Sequence, residues 1–324
     1  MRKKFNLLVG IVLITALLFT LTGCASKDSK AVYPSKPVNM IIAFTAGGSS
    51  DVQARVVEKF WKKEFNNQPL VFDYKVGAGG QVGFTEIAKA NPDGYTIGGI
   101  NVPHIVFQAL SSQATFKTED FAYIAQVVKD PLLLAVKKDS PINNLNDFIA
   151  EAKKKDGKMN VGIVGPFTAH HVGIFQLADE LKIKVNPVIF KGAADQNVAL
   201  LGGHVDAMLG NLNDVMRDLN NFKILALADD QRHPWIKDVP TFKEMNVNFK
   251  ADIRRGFAAP KNIKPEVLQK LREGFQKICN DPEYLKEMEK IGQPAAYLSG
   301  EEFEKYVKEY TANAKSVIEK YGLK

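Results

Sequence analysis

Apolar runs and helix-period segments alternate along most of this chain. Val38 to Phe44 is apolar except at Asn39 and reads as a buried strand. Asp51 to Phe65 places Val52, Val56, Val57, Phe60 and Trp61 at helical spacing. Leu70 to Tyr74 predicts a strand, Gly80 to Ala90 a helix and Tyr95 to Ile100 a strand. The layout restarts after residue 130. Strands are predicted at Leu132–Val136, Val161–Val164, Val188–Phe190, Ala207–Leu209 and Ile224–Ala228. Helices are predicted between them at Asn146–Lys154, Ala169–Leu181, Ala194–Leu201 and Asn213–Leu219. The tail reads as helices over Pro265–Cys279, Pro282–Ile291 and Gly300–Tyr321, with Pro265 and Pro282 at starts, where a missing N–H costs little. Strands alternating with helices predict an α/β fold, a mostly parallel sheet flanked by helices on both faces.

The first residues follow a different logic. Arg2, Lys3 and Lys4 precede an apolar stretch from Phe5 to Leu21, and Leu21-Thr22-Gly23-Cys24 closes it with small residues before a cysteine. This resembles a lipoprotein signal peptide over 1–23, with Cys24 acylated by palmitate-type chains and becoming the mature N-terminus. A transmembrane anchor, the competing reading, needs neither the small residues nor the cysteine. Several acyl chains on Cys24 would hold the protein at the outer side of the bacterial cell membrane, since one chain alone binds marginally. Residues 24–34 then read as a polar tether.

Composition narrows the function. The 324 residues are enough for two domains of ordinary size. Losing the leader removes three basic residues and leaves 40 basic against 36 acidic, an excess of +4 that is dispersed. No basic stripe interleaves with aromatics, so nucleic acid is not an expected partner, while a mild positive field suits anionic ligands. With Cys24 acylated, Cys279 has no partner for an intrachain disulfide. No His, Cys, Asp or Glu spacing suggests a metal site, and no cofactor fingerprint is present.

Two strand–turn–helix units carry the candidate chemistry. In the first, Val38–Phe44 leads through Thr45-Ala46-Gly47-Gly48-Ser49-Ser50 to the helix from Asp51. Adjacent glycines let backbone approach a ligand, Ser49 or Ser50 can cap the helix, and a helix N-terminus reached from a strand's carboxyl end favours anions. In the second, Val161–Val164 leads through Gly165-Pro166-Phe167-Thr168 to a helix bearing His170 and His171, with Thr168 as N-cap. Two such N-termini facing across a cleft would grip a molecule with two carboxylates. His170 and His171 are adjacent and point about 100° apart, so they would not chelate one metal together. Either one packs or caps and the other faces solvent, or His171 stiffens the loop or donates to the ligand. No Gly-x-Ser-x-Gly elbow occurs, and Ser49, His171 and Asp206 share no local signature, so no enzyme is expected.

From Tyr33 to the C-terminus the chain resembles the receptors of tripartite tricarboxylate transporters, the Bug receptors. The resemblance is carried by Tyr33-Pro34-Ser35-Lys36-Pro37-Val38, Phe44-Thr45-Ala46-Gly47-Gly48-Ser49-Ser50-Asp51, Gly77-Ala78-Gly79-Gly80 and Pro92-Asp93-Gly94-Tyr95-Thr96. Lys191-Gly192-Ala193, Leu201-Gly202-Gly203-His204-Val205-Asp206, Asp238-Val239-Pro240-Thr241 and Ala259-Pro260, read as opening the final helical stretch, follow in the same order. It implies a two-lobed, hinged clamp of the periplasmic-binding-protein type II, with lobe 1 over 35–130 and 252–324 and lobe 2 over 131–251. It also implies capture of a small organic carboxylate, di- or tricarboxylate included, for membrane permease subunits. A ligand-sensing lipoprotein acting through a signalling partner would use the same clamp.

The ligand contacts so implied are Phe44, Ala46, Gly47, Gly48 and Asp51 in the first loop, then Asn101 and His104 after the third strand. Thr168 and His171 at the second helix start, and Lys191, Gly192, Ala193 and Asn211, complete the set. Asp51 can equally be a helix cap, Lys191 solvated, and Asp206 an organiser of its turn. Two departures stand out: Phe167 where the family's loop is richer in glycine and serine, and Gly210 where an Asp is common. They point away from amino acids and bulky citrate, towards a carboxylate with an apolar or aromatic part.

Overall fold

A computed structural model describes residues 33–322. The expected leader and Cys24 lie outside the described residues. The first unit runs β1 (Val38–Ile42), α1 (Ser49–Glu64), β2 (Leu70–Tyr74), α2 (Gln81–Lys89), β3 (Thr96–Val102) and α3 (His104–Ala109). A long strand, β4 (Phe121–Lys137), leads to the second unit: α4 (Leu145–Lys155), β5 (Asn160–Val164), α5 (Ala169–Leu181), β6 (Asn186–Phe190), α6 (Ala193–Leu201), β7 (Ala207–Asn211), α7 (Leu212–Met216) and β8 (Phe222–Leu227). The chain returns through β9 (Asp252–Pro260) to α8 (Pro265–Cys279), α9 (Pro282–Lys290), β10 (Ala295–Ser299) and α10 (Gly300–Lys320).

Both sheets share β4. Its first part, Phe121 to Pro131, pairs antiparallel with β9, and its second, Leu132 to Lys137, pairs with β7 and β8. The first sheet orders β2-β1-β3-β9-β4 and the second continues β4-β7-β5-β6, with β10 and β8 also on β4. Parallel pairing is confined to β1 with β2 and β3, and to β5 with β6 and β7. Each sheet is therefore mixed, parallel at its outer part and antiparallel where the chain crosses over. The changeover lies at Pro131 and Leu132, where Leu132 N donates to Ala251 O at 2.9 Å beside the returning chain. Below, lobe 1 means the sheet of β1–β3, β9 and β10, and lobe 2 that of β5–β8.

Apolar layers sit on both faces of each sheet. On lobe 1, α1, α8 and α9 bury Trp61, Phe65 and Phe275 against β1, with Trp61 stacked on Phe65 at 3.7 Å between ring centroids. The opposite face packs Phe84, Ile105 and Phe303 beneath α2, α3 and α10. On lobe 2, Phe148, Ile163 and Leu177 fill one face, and Leu133, Met208 and Val215 the other. Helices on both faces follow from strands that are apolar throughout, because neither face of such a strand can stay in water.

Pro265 and Pro282 do begin helices. The crossing strands depart from the sequence reading. Only Leu132–Val136 of β4 was expected, because Lys129-Asp130-Pro131 interrupts the apolar run. Ala259-Pro260 close β9 instead of opening a helix. β9 was missed because Arg254, Arg255 and Gly256 occupy its middle. Arg255 is nonetheless 1% exposed, tolerated because Asp130 on the neighbouring strand is also buried and lies 2.6 Å away. Cys279 is buried without a disulfide partner, and burial pushes its thiol pKa up to about 12. Among the described residues no helix is long and apolar enough to cross a membrane, and no His, Cys, Asp and Glu cluster is arranged to hold a metal.

Candidate functional site

The turn from β1 to α1 delivers backbone to the cleft. Gly48, rather than Ser49 or Ser50, caps α1 in an extended conformation, so no cap side chain accepts from the first N–H groups, while Asp51 N donates to Gly48 O at 3.1 Å. Asp51 is buried and fixes the turn from behind: it accepts from Gly47 N at 2.7 Å and from the Tyr74 hydroxyl at 2.7 Å, and pairs with Arg55 at 3.0 Å. The loop is therefore shaped before any ligand arrives.

The turn from β5 to α5 behaves differently. Thr168 accepts from His171 N at 3.2 Å and donates to Val164 O at 2.5 Å, so the helix start is closed by its own cap. His171 Nδ1 accepts from Phe167 N at 3.2 Å, which stiffens the loop. In lobe 2 the open helix N-terminus belongs to α6, capped by Gly192 without a side chain.

These parts meet at a cavity of about 20 Å³, room for roughly one water. It is lined by Phe44, Gly48, Ser49, Ser50, Asn101, His104, Ile253 and Arg255 from lobe 1, and by Val164, His170, Ala193 and Asn211 from lobe 2. The lobes touch across it. Ser49 Oγ donates to Asp214, and Arg217 Nη1 donates to Gly47 O at 2.8 Å. Glycine makes the approach possible. A Cβ on Gly79 would stand 2.2 Å from Pro166 O, and one on Gly192 2.1 Å from Thr45 Oγ1. A ligand larger than water therefore enters only when the lobes part, the hinge motion of a clamp.

Several polar atoms around the cavity are buried without a hydrogen-bond partner of good geometry: His104 Nδ1, both ring nitrogens of His170, Asn211 Oδ1 and Arg255 Nε, with Asn211 close enough to His170 to oppose the fall of its pKa. Buried polar atoms are normally satisfied, and these five are gathered at one cavity where a water or a ligand atom could meet them. Burial, with the neighbouring Arg255, holds both histidines in the neutral form: His104 well below its ordinary pKa, next to His170, and His170 lowered to about 4 despite Asp214. Each neutral ring can donate from one nitrogen and accept at the other. Desolvation raises the Asp130 carboxyl to about 6 against the opposing pull of Arg255.

Of the residues singled out from sequence, Phe44, Gly48, Asn101, His104, Ala193 and Asn211 line the cavity. Ala46 and Gly47 are exposed beside it, and Lys191 is exposed to solvent. Asp51, Thr168 and Gly192 hold turns around the cavity. His171 does not line it; its neighbour His170 does. Phe167 also lies outside the lining, so the apolar wall expected from it is absent there. Nothing in the described cavity lining replaces the acid missing at Gly210; the nearby buried Asp214 is engaged instead, accepting from Asn211 N and Nδ2, each at 3.0 Å. Asp206 orders its turn, accepting from Lys155 at 2.7 Å and Asn160 N at 2.8 Å. Sequence reasoning missed Ser49, Ser50, Val164, His170, Ile253 and Arg255 as lining residues. The alternation of Ile253 and Arg255 was the available signal, hidden because β9 was not recognised as a strand.

A family model described as tripartite tricarboxylate transporter family receptor matches residues 53–323. The chain belongs to this family. Relatives of the Bug type agree. A UPF0065 protein in the gbd 5' region of Cupriavidus necator is 28% identical, with 99% of this chain and 98% of that protein covered. Protein BugT of Bordetella pertussis is 30% identical, with 80% of this chain and 79% of that protein covered. The solved periplasmic binding protein BugD superposes with a TM-score of 0.84 at 28% identity, covering 90% of this chain and 99% of that one. These tripartite tricarboxylate receptors are substrate-binding proteins, not enzymes, and the two-lobed α/β clamp is their fold.

Proposed function

We propose that this protein is a lipid-anchored receptor on the outer side of the cell membrane that captures a small organic carboxylate and hands it to the permease subunits of a tripartite tricarboxylate-type transporter. The observation that carries the ligand class is a single cavity reached by two helix N-termini without side-chain caps, α1 from lobe 1 and α6 from lobe 2. Family membership supports the transport role. The lobes are taken as 35–130 with 252–324, and 131–251, hinged where β4 and β9 cross. Anchoring rests on Cys24 and its leader.

A thermal-shift panel of mono-, di- and tricarboxylates, with amino acids and sugars as comparison, tests the reading. At least one carboxylate should raise Tm by several degrees at 100 times its Kd, since such occupancy adds about 2.7 kcal/mol. Stabilisation by sugars or amino acids alone would sink it. Anchoring is checked separately: labelled palmitate should be incorporated into the wild-type protein and not into Cys24→Ala.

A further inference from the structure

We propose that Arg255 is the charged ligand contact of the cleft, meeting a carboxylate of the ligand through its guanidinium, and that Asp130 positions it. This deepens the carboxylate reading above and rests on it.

Arg255 is the one Lys or Arg among the cavity-lining residues described, and its side chain is 1% exposed. It shares a face of β9 with Ile253, also in the lining, whereas Arg254 between them lies over the Tyr306 ring, 3.9 Å from its centroid. A fastening role accounts for part of Arg255. Its Nη1 donates to Asp130 Oδ2 at 2.6 Å and to Gln293 Oε1 at 3.5 Å, while Asp130 Oδ1 accepts from Asn213 N at 3.2 Å across the hinge. That role does not account for Nε, which is buried and without an acceptor. Arg254 Nε is also buried without an acceptor, so what sets Arg255 apart is that its open donor belongs to a residue of the cavity lining.

The neighbours point the same way. His104 Nδ1 and both His170 nitrogens are unpartnered in the same lining, with the two rings 6.1 Å apart. Neutral imidazoles beside a guanidinium can donate to oxygen without adding charge. An acid carboxylate satisfies all of them together; the corresponding amide presents one acceptor fewer and no charge. Arg255 thus adds a charge to a grip otherwise made by the helix N-termini, and makes the cleft discriminate acids from their amides.

Breaking a buried pair at one end leaves an uncompensated charge, so the test removes both charges while keeping size and hydrogen bonding: Arg255→Gln with Asp130→Asn. Succinate, citrate and benzoate are titrated by calorimetry, each beside its amide. Loss of one charge-assisted hydrogen bond should weaken the acid that wild type binds by roughly 30-fold, with amide binding unchanged. In wild type, the Arg255 15Nε resonance should shift on adding that acid and stay still with its amide, a readout that does not need the variant to fold. A folded double variant whose acid affinity stays within about threefold of wild type, or an unmoved Nε resonance at saturation, overturns the proposal while leaving carboxylate capture intact. Wild type that binds none of these acids removes the carboxylate reading and the proposal with it.

Discussion

The turn from β1 to α1 ends on Gly48, whereas the turn from β5 to α5 ends on Thr168. Both leave a buried strand, both enter a helix, and both stand at the cleft. Gly48 has no side chain, so no cap side chain covers the start of α1, whose Ser49 and Ser50 line the cavity. Thr168 spends its own oxygen on His171 N, so α5 contributes a side chain, His170, instead of its backbone. The second turn also supplies the surface that Gly79 of lobe 1 meets. Both turns take part in closure, the first through Ser49 and Gly47 O and the second through Pro166, but only the first brings an uncapped helix start to the cavity. A polar cap residue and a glycine, both common at helix starts, thus make similar units differ in what they present, side chain or backbone.

The largest expected effect falls on His170. Its pKa is about 4 in the folded protein and ordinary, near 6.5, when unfolded. Between those values the unfolded chain binds more protons, so stability is full above about 6.5 and is lost as pH falls towards 4. The difference amounts to about 3 kcal/mol. His170→Gln should remove that part of the acid-side slope in urea melts run from pH 7 to 4. Parallel slopes for variant and wild type would show that the ring is not held neutral.

Closure comes next. Gly79→Ala sets a Cβ against the Pro166 carbonyl and should weaken ligand binding roughly 30-fold, the effect of about 2 kcal/mol of overpacking in the closed form alone. Because φ at Gly79 is +66°, alanine also costs about 1 kcal/mol of stability in either form. Small-angle scattering with ligand should then report an open molecule. A fully closed profile would mean that the contact yields.

The smallest effects separate the turns directly. Thr168→Ala should cost about 1 kcal/mol of stability, the usual value of an N-cap, and change affinity little. Ser49→Ala removes the hydroxyl that donates to Asp214 across the cleft and should do the reverse, lowering affinity roughly fivefold through about 1 kcal/mol of lost closure contact. Equal effects of the two substitutions on Tm and Kd would erase the distinction.

The sequence by itself determined most elements of the two parallel units, though not α3, the proline-started C-terminal helices, though not β10 after them, and the first glycine turn. Each of these depends on local periodicity or local backbone chemistry, which a linear chain carries in full. It could not show β9 or the first part of β4, where Arg254, Arg255, Lys129 and Asp130 break the apolar pattern. Those charges become acceptable inside a sheet only because Asp130 and Arg255 come from positions far apart in the chain and neutralise each other at 2.6 Å. Tertiary structure likewise decided which of two adjacent histidines enters the cavity, since helix phase at α5 is set by how Val172 and Ile174 pack. It decided, too, that α6 rather than α5 presents the open N-terminus of lobe 2, because Thr168 satisfies its helix locally and Gly192 cannot.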